Sequence, residues 1–323
     1  MRALVTGAGG FVGAHLAARL VADGWEVVGS VRPGAPPRRL AALGLAGSVD
    51  VVPVDLADPV AVAEVAAGSA CDVVFLLAAA RAAATPVERQ ATAAVNGPSG
   101  RWVVEALPAR CRAVVRLGSS TEYGGQSRPL DEAAPLRPRG FFGTTKAAGS
   151  LTVAAAAAER GLRCAVLRAF QVYGSLDHPG RLVPTAIRAA RRGAVLPLTR
   201  PGLCRDWVHV DDVVEACVQA AEADGLPAGQ VLNIGTGRQA SNEEVVAEVA
   251  RAAGRPIRVE VGAHPGRDWD AASWVADPML AARLLGWQAR ITLADGLARC
   301  WASEEPPPVT RPSVVSAVAA VRR

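Results

Sequence analysis

Aromatic residues are scarce in this 323-residue chain, at 4%, and only two of them are tyrosines. A core must therefore be built mainly from Ala, Val and Leu. The six cysteines (Cys71, Cys111, Cys164, Cys204, Cys217 and Cys300) stand far apart without a CxxC pair, and the four histidines do not gather near them. This argues against a zinc site or a disulfide framework and matches a reducing cytosol, so a cytoplasmic location and no metal are expected. No apolar run approaches the ~18 uncharged residues of a membrane span, so no membrane partner is expected. The apolar N-terminus runs into a glycine-rich turn and lacks the flanks and cleavage site of a secretory signal. Charge of one sign is also missing: 35 basic residues against 30 acidic ones leave +5, spread without a long run. That small excess favours an anionic ligand and gives no reason to expect nucleic acid. No repeat of fixed period is present.

What the chain has is ample apolar material, with 50% hydrophobic and 20% charged residues, enough for a sizeable core. Its length corresponds to about two domains at ~150 residues each. Short apolar runs at Arg2–Val5, Glu26–Val31, Val51–Val54, Asp72–Leu77, Ala113–Leu117 and Arg163–Leu167 read as strands. Between them, Phe11–Ala22, Val60–Ala67, Ala91–Leu107, Thr144–Arg160 and Arg181–Arg192 read as helices. Such alternation implies right-handed βαβ units and a parallel sheet covered on both faces. The expected fold is a Rossmann-type, doubly wound α/β domain over residues 1–175. A smaller substrate-binding lobe is expected over 176–302, with helices at Asp211–Ala223, Ser241–Ala253, Pro278–Leu285 and Leu293–Ala302. Residues 303–323 read as an extended tail.

The first strand leads into Thr6-Gly7-Ala8-Gly9-Gly10-Phe11-Val12-Gly13. Glycines at 7, 10 and 13, between a strand and a helix, let the backbone approach a pyrophosphate. The helix start, at Phe11 and Val12, offers free N–H groups and a positive dipole end. The second strand ends Val31-Arg32 with no carboxylate for ribose hydroxyls, so Arg32 is the candidate for a 2′-phosphate and NADP is favoured, with NAD as the alternative. Asp55 and Leu56, after the third strand, suit the adenine end.

Several ordered segments carry a resemblance over nearly the whole chain, to about residue 302. They are the glycine turn, Leu77-Ala78-Ala79, Asn96, Gly118-Ser119-Ser120-Thr121-Glu122-Tyr123-Gly124 and Thr144-Thr145-Lys146. Further on come Arg168-Ala169-Phe170-Gln171-Val172-Tyr173-Gly174, Arg205-Asp206-Trp207-Val208-His209-Val210-Asp211-Asp212, Asn233-Ile234-Gly235-Thr236-Gly237 and Leu284-Leu285-Gly286-Trp287. The chain resembles an extended short-chain dehydrogenase/reductase of the nucleotide-sugar epimerase, dehydratase and reductase type. The resemblance implies cofactor contacts at Leu77, Ala78, Ala79 and Asn96 and a homodimer formed through a helix pair.

In that family a Ser or Thr, a Tyr and a Lys act together, the last two as YxxxK on one helix face. The lysine lowers the phenol pKa and holds the nicotinamide ribose, and the hydroxyl binds the substrate oxygen. Carried over, Lys146 is the lysine and Ser119 the hydroxyl, with Ser120 and Thr121 beside it. Four residues before Lys146 stands Phe142, which has no proton to give. Three explanations stay open: a Tyr→Phe variant that traps substrate, an enzyme with a substitute acid, and a binding protein without chemistry. Tyr123 and Tyr173 sit where the family ordinarily has tyrosine; Glu122 is the other candidate acid. Ser120 and Thr121, where dehydratases of this type carry an acid, argue against dehydration. Leu76, Ala169 and Gln171 also depart from the family pattern.

The implied substrate contacts are Thr121, Glu122, Gln171, and Arg205 and Arg267 for a diphosphate. Trp207 and Trp269 either stack on a base or pack in the core. The leading expectation is hydride transfer at C4 of a nucleotide-linked hexose, as net reduction of a keto sugar. The alternatives are a 4-epimerase with tightly bound cofactor and a silent dinucleotide- or sugar-nucleotide-binding protein.

Overall fold

The computed structural model describes residues 1–81, 85–126, 128–265 and 272–303. In chain order the first half runs β1 (Arg2–Thr6), α1 (Phe11–Ala22), β2 (Glu26–Val31), α2 (Arg38–Ala42), β3 (Asp50–Pro53), α3 (Pro59–Gly68), β4 (Val73–Leu76), α4 (Pro86–Asn96), α5 (Ser99–Ala106), β5 (Ala113–Ser119), α6 (Gly140–Glu159) and β6 (Arg163–Ala169). The second half runs β7 (Gln171–Tyr173), α7 (Leu182–Arg192), β8 (Leu196–Leu198), β9 (Cys204–Arg205), β10 (Trp207–His209), α8 (Val210–Glu222), β11 (Gln230–Ile234), β12 (Ala240–Ser241), α9 (Asn242–Ala253), β13 (Val259–Val261), α10 (Met279–Leu285) and α11 (Leu293–Ser303).

Seven strands form one sheet in the order β11-β6-β5-β4-β1-β2-β3, and every pairing in it is parallel. The chain winds outward from β1 through β2 and β3, then returns to build β4, β5, β6 and β11 on the other side. The reversal lies between β1 and β4, where open α/β sheets bind ligands beyond the carboxyl ends of their strands. This is the doubly wound Rossmann-type fold. The seventh strand, β11, comes from the stretch read as part of the smaller lobe, and pairs Val231 with Val166.

The period-2 alternation of strand side chains sorts the core into two layers. Ala3, Val5, Phe75, Val115 and Leu167 pack with Leu16 and Leu20 of α1 and Val213 and Cys217 of α8. Leu4, Val74, Val114 and Val166 face the other way, onto Val62 of α3, Val103 and Val104 of α5 and Val153 of α6. A separate cluster joins Ile187 of α7, Val245 and Val249 of α9, Leu297 of α11, Tyr173 and Trp207.

Two helices differ from expectation in ways that matter for the site. The single helix read over Ala91–Leu107 is two, α4 and α5, broken at Gly97-Pro98. Pro98 has no N–H to continue the ladder, and a Cβ at Gly97 would lie 2.8 Å from the Ala93 carbonyl oxygen. Helix α6 begins at Gly140, four residues earlier than read, so Phe142 lies inside the helix one turn before Lys146. Among the described residues, no helix is long and apolar enough to cross a membrane.

Candidate functional site

The β1–α1 turn is tight because its glycines leave no room for side chains. Gly7 has φ +74°, and a Cβ there would sit 2.8 Å from Ala78 Cα. A Cβ at Gly13 would lie 2.2 Å from the Gly7 carbonyl oxygen, and one at Gly10 2.9 Å from it. Thr6 ties the two loops together: its hydroxyl accepts from the N–H of Leu77 (3.1 Å) and of Ala78 (3.3 Å). Helix α1 starts at Phe11 with no side-chain cap and no acid in its first turn. The leading N–H groups of Phe11, Val12 and Gly13 have no acceptor within the helix, and the dipole is positive there, so a pyrophosphate fits this cradle.

Around it, Arg32 is exposed at the end of β2 and Asp55 is exposed after β3, with Leu56 half-buried beside it. The Asp55 carboxylate accepts from the Ala57 N–H at 2.9 Å. Arg39 of α2 donates to the carbonyl oxygens of Leu176 (2.8 Å) and Gly9 (3.4 Å), clamping α2 over the turn. Leu77 is buried, Ala78 half-buried and Ala79 exposed. Asn96, expected as a cofactor contact, is instead fully buried, and its amide grips the next part of that loop. Its oxygen accepts from the Ala80 N–H (2.8 Å) and its nitrogen donates to the Ala80 carbonyl (2.9 Å) and to the Thr145 hydroxyl (3.0 Å). Asn96 shapes the loop from below.

At the end of β5, the Ser119 hydroxyl accepts from both the N–H (3.2 Å) and the hydroxyl (2.8 Å) of Thr121. Ser120 is buried; Ser119 and Thr121 are half-buried. Lys146 comes from α6 and is 3% exposed. Its ammonium donates to the Leu117 carbonyl oxygen at 2.5 Å. Burial, reinforced by the like charge of Arg116, pushes its pKa down to about 7. Phe142 lies one turn earlier, with the Arg81 guanidinium 5.2 Å from its ring centroid.

None of the three other candidate acids is available. Glu122, expected as a substrate contact and a stand-in acid, is fully buried and committed to the protein interior. One carboxylate oxygen accepts from the Ser119 N–H and the Ser150 hydroxyl, both at 2.9 Å, and the other meets Arg168 Nε at 2.9 Å. Tyr123 donates its hydroxyl to Asn233 Oδ1 at 2.8 Å, and burial pushes its pKa up to about 12. Tyr173 is buried, donates to the Thr292 carbonyl at 3.4 Å and is likewise pushed up by burial.

On the substrate side, Gln171 is half-buried in β7, and its strand pairs with β10. Arg205 lies 5.3 Å from the Trp274 ring centroid and donates to the Cys204 carbonyl at 2.7 Å. Trp207 is packed, its indole N–H donating to the Ala240 carbonyl at 3.2 Å, so it is a core residue and not a base platform. Arg267 and Trp269 lie outside the described residues.

One signal in the sequence had a sharper meaning than its motif. Lys146 is the only lysine among the 35 lysine and arginine residues. A chain that otherwise uses arginine for its cations keeps one ammonium, at the buried site where a single point charge is called for. Arg81 and Arg116 had no motif to mark them.

A family model described as the NAD dependent epimerase/dehydratase family matches residues 3–235. The UDP-glucose 4-epimerase of Mycolicibacterium smegmatis is 32% identical over 309 residues, covering 93% of this chain and 97% of that one. The dTDP-glucose 4,6-dehydratase of Streptomyces griseus is 32% identical over 197 residues, which is 57% of this chain and 56% of its own length. Among solved structures, MoeE5 in complex with UDP-glucose and NAD is similar at a TM-score of 0.81 and 31% identity, covering 94% of this chain and 98% of that one.

The buried ammonium has a thermodynamic consequence. The unfolded chain holds this proton up to the ordinary lysine value of 10.5, whereas the folded one releases it near about 7, so native stability rises with pH across that window. Lys146→Met removes the penalty and is expected to melt higher than the native protein at pH 7, with the advantage shrinking as pH rises. Scanning calorimetry across this range checks it; a Lys146→Met protein that melts lower at pH 7 contradicts the assignment of a buried charge.

Proposed function

The chain belongs to the NAD dependent epimerase/dehydratase family, and we propose that it is a nucleotide-sugar enzyme of the 4-epimerase kind whose proton-transfer position is held by Phe142. The observation that supports this reading is that the buried Lys146 ammonium meets the Leu117 carbonyl two residues before the Ser119–Thr121 hydroxyl pair, at the carboxyl end of β5. Net reduction, the leading expectation from sequence, yields to epimerisation. Relatives matched over nearly the whole chain support this: the Mycolicibacterium smegmatis UDP-glucose 4-epimerase and MoeE5, solved with UDP-glucose and NAD, whereas the dehydratase of Streptomyces griseus matches over 57% of the chain. Dehydration is disfavoured by the site itself, because Ser120 and Thr121 offer no carboxyl and Glu122 is locked against Arg168.

In this reading Gly7, Gly10, Gly13 and the N–H groups of Phe11 and Val12 receive a pyrophosphate, Asp55 and Leu56 the adenine end, and Ala78 and Ala79 the middle of the dinucleotide. The dinucleotide, when bound, supplies an acceptor and donor of hydride. Lys146 hydrogen-bonds the ribose through its amino group, and Ser119 and Thr121 hydrogen-bond the oxygen on C4. Arg205 and Arg267 neutralise the sugar's diphosphate, and Gln171 reaches the sugar. An epimerase returns the hydride to the other face, so turnover consumes no cofactor.

The step left unserved is proton transfer to and from the C4 oxygen, since a phenyl ring occupies the place of a phenol. Phe142→Tyr adds that hydroxyl at little cost in packing and is expected to raise single-turnover hydride transfer by about 10²–10⁴-fold. A native protein already as fast as Phe142→Tyr would point to another acid. A Phe142→Tyr protein that binds both ligands and stays inert favours the silent binding protein, the reading that Phe142 itself supports.

The finer cofactor reading is a preference for NADP, because β2 ends without a carboxylate and Arg32 is exposed at its tip. Arg32→Asp is expected to shift binding toward NAD. Equal dissociation constants for the two cofactors in the native protein would sink this preference and leave NAD.

A homodimer is supported by the outward face of α6. Phe141 (40% exposed) and Leu151 (59%) stand there with exposed Thr144, Ala148 and Ala155, a face without charge. Sedimentation equilibrium is expected to give a dimer that Leu151→Arg dissociates; a monomeric native protein overturns it.

A further inference from the structure

β5 carries a guanidinium where its neighbours carry apolar side chains. Arg116 points into the layer between the sheet and helices α5 and α6 and is 2% exposed. Burying such a charge is costly unless the surroundings answer it. Burial indeed pushes the pKa of this arginine down to about 10.

The surroundings make room for it on two sides. A Cβ at Gly149 of α6 would lie 2.0 Å from Arg116 Nη2, and one at Gly100 of α5 2.9 Å from Nη1. Each helix thus leaves out a side chain where the guanidinium passes. The same glycines also admit the Asn96 carbonyl oxygen, 2.0 Å from a Cβ at Gly149, and Val153 Cγ2, 2.6 Å from one at Gly100, so the chain and the guanidinium share the space they open. Nη2 donates to the Asn96 carbonyl oxygen at 2.7 Å, and Asn96 is the residue whose amide grips Ala80 and Thr145. Its Nε finds no hydrogen-bond partner among the described residues. The small cavity beside it is lined by Thr6, Leu56 and Ala78, the underside of the dinucleotide loops.

We propose that Arg116 is a positioning residue of this site: it holds the main chain of Asn96, whose side-chain amide shapes the Ala80 loop, and it lays a second buried cation against α6 at Gly149, three residues after Lys146. The charges acting on Lys146 are Arg116 from β5, Glu122 from the turn after β5 and Arg81 from the loop after β4. Cys164 of β6 faces Arg116 itself. Glu122 is the counter-charge of the group, but Arg168 already claims it. Arg116 therefore leaves Lys146 readier to lose its proton than burial alone would. The consequence for turnover rests on the function proposed above; the effect on Lys146 does not.

The chain's single lysine makes the test direct. Lysine labelled with ¹³C at Cε gives one side-chain resonance in the full-length protein, and its pH titration reads Lys146 with no cofactor or sugar present. Arg116→Met is expected to raise the midpoint by roughly one pH unit and to speed amide hydrogen exchange at Ala80. Arg116→Lys keeps the charge, so it is expected to hold the low midpoint while still loosening Ala80; its added lysine is assigned by difference. A folded Arg116→Met with an unchanged midpoint overturns the proposal. If Arg116→Met does not fold, Arg116→Lys decides alone: a raised midpoint, or unchanged exchange at Ala80, overturns it. Failure of Phe142→Tyr to epimerise any sugar would count against the proposed function and leave this titration untouched.

Discussion

Burying one ammonium at the carboxyl edge of a parallel sheet is the constraint around which the rest of the site is arranged. Lys146 donates to the Leu117 carbonyl and feels a like charge in Arg116. The carboxylate that might neutralise it, Glu122, is divided between Arg168, the Ser119 N–H and Ser150. In a low-dielectric interior such an imbalance favours the neutral amine. A lysine poised near neutrality suits a group that must orient polar ligands and tolerate proton traffic beside it. Exposed on a helix surface, the same residue would only be a solvated charge.

The same interactions that isolate Lys146 also bind the loops into one frame. Thr6 joins the glycine turn to the loop after β4, and Asn96 joins that loop to α6 through Thr145. The Glu122–Arg168 pair lies under the Tyr123 ring, with the guanidinium 4.4 Å from its centroid, and Tyr123 reaches Asn233 of β11. Asp206, fully buried between β9 and β10, accepts from Thr236, Gly237 and Ala276, holding the substrate-side loops to the sheet. Hydroxyl, lysine and glycine turn are thus set by buried polar contacts, each satisfied at the cost of another residue's freedom. That is how a site is held when its residues come from distant parts of a chain.

How much of this could be read from the chain depended on range. Strands such as Glu26–Val31 and helices such as Phe11–Ala22 follow from local apolar runs and glycine punctuation, and they stand at those bounds. The glycine turn was legible because its chemistry is local. The five-residue α2 left no periodic pattern long enough to see, and the Gly97-Pro98 break was hidden by the alanine-rich run around it. Glu122 was misread because its partners, Ser150 and Arg168, are 28 and 46 residues away and no pattern announces them. Arg116 was invisible for the same reason: only the fold brings Gly100, Gly149 and Asn96 around it. The absent phenol was plain from Phe142, but that Tyr123, Tyr173 and Glu122 are all engaged elsewhere needed the structure.

The central claim is that the chain keeps a complete site for a dinucleotide and a nucleotide sugar while lacking the phenol between them. Thermal denaturation with ligand tests it most directly, because a ligand bound only by the native state raises the melting temperature according to its affinity. The account predicts stabilisation by NAD or NADP alone, and a further rise when one member of a panel of UDP-, dTDP-, GDP- and CDP-sugars is added. A melting temperature unmoved by either dinucleotide and by every sugar nucleotide would contradict it.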